Sequence, residues 1–161
     1  ELFEGVNPDF MQYEQGIDEP YDTAEAVLTI GDLALKRAAA PRFPHAYDLG
    51  EIWHNKTGLP FVFAIWQVNY RKNMEHDLVH LYDALKDSKQ YGLSHLIELA
   101  ETYAGEFGLP AETLISYWNT FSYDLGPEEL KGLLTYYGYA MELGVIDSVP
   151  ELSIWARDAV Q

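Results

Sequence analysis

One stretch decides the predicted fold: Phe61-Val62-Phe63-Ala64-Ile65-Trp66-Gln67-Val68. It is rich in aromatic and β-branched residues and almost continuously apolar, which is typical of a strand that is covered on both faces. Thr57-Gly58-Leu59-Pro60 precedes it as a turn signal, and the pattern changes after Asn69. We therefore predict a buried strand over 61–68.

Shorter strand signals precede this stretch and alternate with helix signals. Residues 8–13 alternate apolar and polar side chains, residues 26–30 are apolar and β-rich, and residues 46–47 are a further short candidate. Residues 33–40 and 48–54 are predicted helices. Strands that alternate with helices indicate an α/β fold.

The second half of the chain has a different texture. From Asn73 to Gln161 apolar residues recur mainly at helical spacing. Gly108-Leu109-Pro110 ends one predicted helix, residues 111–118 form the next, and Pro127 with two acids behind it opens another. The prediction is an α/β chain that is helix-rich after residue 70.

The charge of the chain excludes several classes of partner. Its 161 residues hold 10 Lys and Arg against 26 Asp and Glu, a formal net charge of −16. Such a surface repels nucleic-acid phosphates and anionic lipid headgroups, so we predict no nucleic acid and no membrane as partners. The lack of cysteine excludes disulfides, thiolate metal sites and a cysteine nucleophile. We predict a cytoplasmic protein.

One histidine pair is similar to a metal-binding motif. His76 and His80 are four residues apart, as in HExxH sites, but Asp77 stands where a Glu would activate water. Because the neighbouring residues are also polar, we interpret this stretch as the exposed face of a helix and predict no metal. The sequence also contains no nucleophile elbow and no Gly-rich phosphate loop.

Two places combine a flexible backbone with a polar group. Gly31 and Asp32 follow the predicted strand 26–30, where α/β proteins bind ligands and where the next helix offers free N–H groups. Thr57-Gly58-Leu59-Pro60 brings a hydroxyl, a glycine and a rigid proline to the start of 61–68, which fits a hinge or a pocket wall. Each place is also compatible with an ordinary structural turn.

Six segments, spread over nearly the whole chain, form a longer pattern. They are VLTIGDLAL at 27–35, YDLGEIW at 47–53, TGLPFVFAIW at 57–66, YGL at 91–93, GLP at 108–110 and YDLGPEEL at 123–130. In this order they resemble chorismate dehydratase of the futalosine pathway to menaquinone. The run GLPFVFA resembles this enzyme rather than the later naphthoate-forming enzyme of the same pathway.

The resemblance implies a fold like that of type II periplasmic binding proteins, with the ligand in a cleft between two lobes. Residues 1–66 would then be part of the ligand-binding lobe, with its strands and the return crossing, and residues 67–161 the helical C-terminal part. The family reaction removes water from chorismate to give 3-[(1-carboxyvinyl)oxy]benzoate. It is a carbon–oxygen lyase (hydro-lyase) reaction without a metal or organic cofactor.

The chain departs from the family pattern on its N-terminal side. Nothing in it matches the family segment that carries the Asn and Ser thought to act in catalysis, so we assign no catalytic residue. We expect a missing N-terminal segment or a second chain to supply that part, and an inactive chain without it. The predicted chorismate neighbours are Gly31, Asp32, Thr57, Gly58, Leu59 and Pro60. The alternative is a non-catalytic carboxylate-binding protein of the same fold.

Overall fold

The computed structural model describes residues 5, 7–17, 20–71 and 74–155. Its helices are α1 (Gly31–Ala39), α2 (Leu49–Thr57), α3 (Glu75–Ser94), α4 (Leu96–Phe107), α5 (Ala111–Trp118) and α6 (Pro127–Glu142). Within these ranges, no helix combines the length and the apolar character that crossing a bilayer requires. Four of the helices follow residue 70, and extended or irregular chain surrounds α1 and α2.

The ends of α2 follow from local capping chemistry. The Asp48 carboxylate accepts hydrogen bonds from the backbone N–H groups of Gly50 at 2.8 Å and Glu51 at 3.1 Å. These are N–H groups that have no partner inside the helix, so the bonds stabilise its first turn. At the other end Gly58 has a φ of 69°, a left-handed conformation that only glycine adopts without strain. The sequence around α2 therefore fixes both of its ends.

The best-packed part of the chain is the hairpin of α4 and α5. Ala100 and Leu114 are completely buried, and Leu109 in the connection between the helices is nearly so. Leu35 of α1 packs against this cluster. Burial of apolar surface thus holds α1 on the α4–α5 hairpin.

A second packing centre joins α2, the turn that follows it, and α6. The indole Nε1 of Trp53 donates a hydrogen bond to the carbonyl oxygen of Pro60 at 3.1 Å. The rings of Phe61, Tyr136 and Tyr139 contact the Trp53 ring edge-on, with centroids 5.6 to 6.0 Å away. We call these four rings the Trp53 cluster; edge-on geometry is the arrangement that aromatic pairs prefer.

The predicted α/β fold is wrong, and so is the architecture of type II periplasmic binding proteins. The described residues form helices and irregular chain, with no strand and no sheet. The four segments predicted as strands, at 8–13, 26–30, 46–47 and 61–68, are extended or irregular and belong to no backbone ladder. The division at residue 66 that followed from the two-lobed fold stays a prediction.

The physical reason is that strand propensity reports how well a side chain fits a sheet surface, and a sheet also needs a paired edge. Phe61 packs on Trp53 instead, and a side chain placed on Gly50 would meet the Phe63 ring at 3.2 Å. Residues 61–63 therefore run back along α2. The apolar side chains of residues 61–63 pack against helices. Apolar side chains alone do not make a strand, because a strand also needs a neighbouring strand with which to pair.

Side-chain hydrogen bonds occupy backbone groups that a sheet would have paired. The hydroxyl of Tyr13 donates to the carbonyl oxygen of Leu28 at 2.6 Å, and the N–H of Ile30 donates to Gln15 Oε1 at 2.9 Å. Part of the apolar run stays at the surface, since Phe63 is 73% and Trp66 is 81% exposed. Without a sheet, these residues gain little from burial.

Two glycines of α6 give a matched test of this packing. A Cβ on Gly132 would overlap the carbonyl oxygen of Pro60, whereas a Cβ on Gly138 meets nothing within 4 Å. We expect Gly132→Ala to lower the free energy of unfolding by about 1–3 kcal/mol, the usual cost of overpacking. Gly138→Ala should raise it by about 0.5–1 kcal/mol, because alanine favours the helix. Urea denaturation measures both; equal effects of the two substitutions would contradict the close contact of α6 with the turn.

Candidate functional site

Gly31 and Asp32 form the start of α1. Gly31 has a φ of 62°, and a Cβ there would meet no atom within 4 Å, so the backbone is open to the surroundings. Both residues are exposed, and no side chain caps this end of the helix. The first N–H groups of α1 are therefore available to an acceptor from outside the helix.

Thr57-Gly58-Leu59-Pro60 forms a turn whose polar groups bond to each other and to α2. The Thr57 hydroxyl donates to the carbonyl oxygen of Trp53 at 2.8 Å and accepts from the N–H of Leu59 at 3.1 Å. Leu59 is buried, and the carbonyl oxygen of Pro60 accepts from Trp53. The turn thus has a structural role, and contact of these four residues with a substrate stays a prediction.

The two predicted places lie toward opposite ends of α2. The turn at Thr57–Pro60 follows the C-terminal end of this nine-residue helix, which is roughly 13 Å long. Asp32 and the N-cap Asp48 both act electrostatically on the hydroxyl of Tyr117, so Asp32 belongs with the N-terminal end. Asp32 therefore lies close enough to Tyr117 to affect its pKa.

Tyr117 is a partly buried hydroxyl among acids. Burial raises the pKa of Tyr117 above its ordinary value, and the carboxylates of Asp32 and Asp48 and the neighbouring Tyr123 raise it further. Each of these effects disfavours a phenolate. At neutral pH Tyr117 therefore holds its proton and can donate a hydrogen bond.

An aromatic groove of about 460 Å³ lies over α4 and the last residue of α5, Trp118. We define it by its rings, Tyr103, Phe107, Trp118 and Tyr123, and by the Glu106 carboxylate in its lining. Phe107 and Trp118 meet edge-on, with centroids 6.3 Å apart. The groove is large enough for one six-membered ring with substituents, and its walls suit stacking or edge contact with such a ring.

One face of α1 borders this groove. Asp32 and Lys36 are four residues apart, so they lie on the same side of the helix. The Lys36 ammonium lies 5.9 Å from the centroid of the Phe107 ring, and Asp32 acts on Tyr117. The site therefore combines a cation, a carboxylate, a neutral hydroxyl and an aromatic wall.

Sequence reasoning found one part of this site and missed the rest. It selected Gly31 and Asp32, but it passed over Tyr117, Lys36 and the aromatic groove. The four-residue spacing of Asp32 and Lys36 was a usable signal, whereas nothing in the sequence distinguishes Tyr117 from other helical tyrosines. In the described part of the chain, no group of three or more His, Cys, Asp or Glu side chains converges to hold a metal ion.

Comparison with known proteins finds a matching family and a similar curated protein. A family described as menaquinone biosynthesis matches residues 2–142. A chorismate dehydratase of Thermus thermophilus is 33% identical over 147 residues, which cover 82% of this chain and 53% of the relative. The chain thus spans about half the length of the curated relative that it matches. No solved structure matches it significantly.

The electrostatic arrangement predicts how Tyr117 titrates. In Asp32→Asn the pKa of Tyr117 should fall toward about 10, the ordinary value, because one of the charges that disfavour the phenolate is gone. The matched change Asp147→Asn, at an exposed residue beyond α6, should leave it unchanged. NMR titration of ring-labelled tyrosine measures both.

The same raised pKa has a consequence for stability. The folded chain holds the Tyr117 proton more tightly than the unfolded chain does. This contribution is complete below pH 10 and is lost as the pH rises from about 10 through the raised pKa of the folded state. Tyr117→Phe should therefore make the free energy of unfolding decline less steeply above pH 10; an identical decline would contradict the assignment.

Proposed function

The chain belongs to the menaquinone biosynthesis family, and we propose that it provides part of a chorismate dehydratase. The observation that carries this proposal is the family match over residues 2–142, together with 33% identity to the Thermus thermophilus enzyme. The proposed reaction converts chorismate to 3-[(1-carboxyvinyl)oxy]benzoate and takes place in the cytoplasm. The class is a carbon–oxygen lyase, and no cofactor enters the proposal.

In the proposed reaction chorismate loses the elements of one water. The bond between the ring and its hydroxyl oxygen breaks, and its electron pair leaves with the oxygen. A proton leaves the adjacent ring carbon, and the electron pair of that C–H bond becomes the third double bond of the new aromatic ring. Aromatisation favours the products, so a protein mainly has to position the ring, exclude water and provide a base. We assign the binding part of this task to the groove and to the adjoining face of α1.

The net charge of −16 makes binding of a dicarboxylate demanding, so the local donors matter. Lys36 supplies a cation beside the Phe107 ring, and the open start of α1 at Gly31 supplies backbone N–H groups. The neutral hydroxyl of Tyr117 can donate a further hydrogen bond. These three donors support a site for a ring that carries carboxylates.

Asp32 would repel a carboxylate of the substrate, and we propose that it accepts a hydrogen bond from the ring hydroxyl of chorismate instead. Its exposed position at the start of α1 leaves its carboxylate accessible to a ligand. We also propose that the substrate has neighbours in the turn that precedes the extended run 61–68. They are Thr57, Gly58, Leu59 and Pro60. No residue of this chain is proposed as the base that removes the ring proton.

We propose that turnover requires residues which this chain does not carry, supplied by an additional segment or by a second chain. The relative is about twice as long as the region that it shares with this chain. The unpaired run 61–68, with its exposed Phe63 and Trp66, supports such an association because it offers apolar surface and free backbone groups. The chain alone would then bind chorismate without converting it.

Chorismate binding and turnover test the proposal. We expect the chain to bind chorismate, and Asp32→Asn and Lys36→Gln each to weaken binding about tenfold, the usual loss for a hydrogen bond to a charged group. Asp147→Asn and Lys86→Gln are the matched controls, with no change expected. Calorimetry measures the affinity. Mass spectrometry detects loss of one water when the part of the Thermus thermophilus relative outside the shared region is added as a complementary polypeptide.

The outcomes of this test separate the alternatives. Binding that persists without any loss of water, even with the complementary polypeptide present, would replace the lyase by a non-catalytic carboxylate-binding protein. Binding that Asp32→Asn and Lys36→Gln leave unchanged would move the site away from α1. Absence of binding in both preparations would overturn the proposed function.

A further inference from the structure

A pair of histidines at the start of α3 is placed for chelation. His76 and His80 are one helical turn apart, and their Nε2 atoms are 3.1 Å from each other. The ring centroids are 4.4 Å apart with the planes inclined by 70°. Both residues are exposed, and the His76 side chain is 83% accessible. The two nitrogens therefore converge at the protein surface.

The geometry points to a two-histidine site for a divalent transition-metal ion of the zinc or copper class. Bonds of about 2.0–2.1 Å from one ion to both Nε2 atoms, at their present separation of 3.1 Å, give an angle of roughly 100° at the metal. This angle lies between the octahedral and the tetrahedral values. The ion takes the place of the hydrogen bond between the two rings, so little rearrangement is needed.

Asp77 favours the form of His76 that can bind a metal. Its Oδ1 lies 3.8 Å from Nδ1 of His76, which is longer than a hydrogen bond, so the carboxylate favours a proton on Nδ1 only through its charge. In that tautomer Nε2 has a free lone pair that can bind a metal. Carboxylates next to metal-bound histidines commonly favour the same tautomer. Asp77 thus supports His76, the metal ligand next to it. An aspartate at this position therefore needs no role in activating water.

The charges around the pair attract cations and leave it accessible. The chain has a net charge of −16, and Glu75 accepts a hydrogen bond from the Tyr70 hydroxyl. Among residues 5, 7–17, 20–71 and 74–155, no cluster of three or more ligating side chains includes the pair, so water fills the other coordination positions. Two imidazoles select transition metals over Mg²⁺, which prefers oxygen ligands.

This site is separate from the one proposed for chorismate. His80 lies in the first turns of α3, whereas Gly92, the residue of α3 that lines the aromatic groove, is roughly 18 Å farther along the helix axis. The inference therefore does not depend on the proposed function. It also differs from the sequence prediction of no metal, because the spacing of the histidines can be read from the sequence whereas the convergence of their nitrogens cannot.

Calorimetric titration of the full chain with Zn²⁺ tests the site. We expect one Zn²⁺ to bind, with an affinity that falls at least tenfold in His76→Gln and in His80→Gln, because each change converts a chelate into a single ligand. His45→Gln, at an exposed histidine outside α3, is the control and should bind as the unmodified chain does. Cu²⁺ should bind more tightly than Zn²⁺, and Mg²⁺ should not compete.

A second measurement on the unmodified chain keeps the test decisive if a variant is poorly folded. Electron paramagnetic resonance of bound Cu²⁺ should show hyperfine coupling to two imidazole nitrogens. Equal Zn²⁺ affinity in both variants and in the control, competition by Mg²⁺, or a Cu²⁺ spectrum with oxygen ligands only would each overturn the inference. Each of those results would assign cation binding to the acidic surface instead.

Discussion

The packing of Leu35 against the α4–α5 hairpin is the contact on which the candidate site depends. It holds α1 in place, and through α1 it positions Asp32 and Lys36. Ala100 of α4 and Leu114 of α5 belong to the same cluster and are completely buried, so the hairpin is well packed where α1 contacts it. A loss of this packing would remove the apolar contact of α1 with the hairpin, and we expect the Lys36 ammonium to move away from the Phe107 ring even if every polar residue remained.

The Trp53 cluster fixes the position of part of the N-terminal half, as the α4–α5 hairpin fixes the position of α1. Its rings bind the turn at Thr57–Pro60 and the start of the apolar run to α6. Gly132 permits this approach, since any side chain there would overlap the carbonyl oxygen of Pro60. The start of 61–68, the strongest predicted strand, thus packs between α2 and α6. The chain has a helical arrangement where the sequence predicted a sheet.

Charge organises the surface in two opposite ways. A chain with a net charge of −16 attracts cations over most of its surface, and the pair of His76 and His80 lies in such surroundings. At the groove, Lys36 and the open start of α1 offer positive charge and free N–H groups next to aromatic rings, alongside the carboxylates of Asp32 and Glu106. Recognition of an anion therefore has to be local, whereas binding of a cation is helped by the chain as a whole.

The sequence by itself determined the family, the starts of α2 and α6, and the start of α1 as a candidate ligand contact. These follow from short patterns, such as Asp48 before a helix and Pro127 at a first helical position, whose physical effect is complete within a few residues. Only the structure decided that 61–68 forms no strand, that Asp32 helps to raise the pKa of Tyr117, and that two histidine nitrogens converge. The first two depend on which distant surface a segment packs against, and the third depends on the rotamers of two exposed side chains. Local sequence pattern specifies neither.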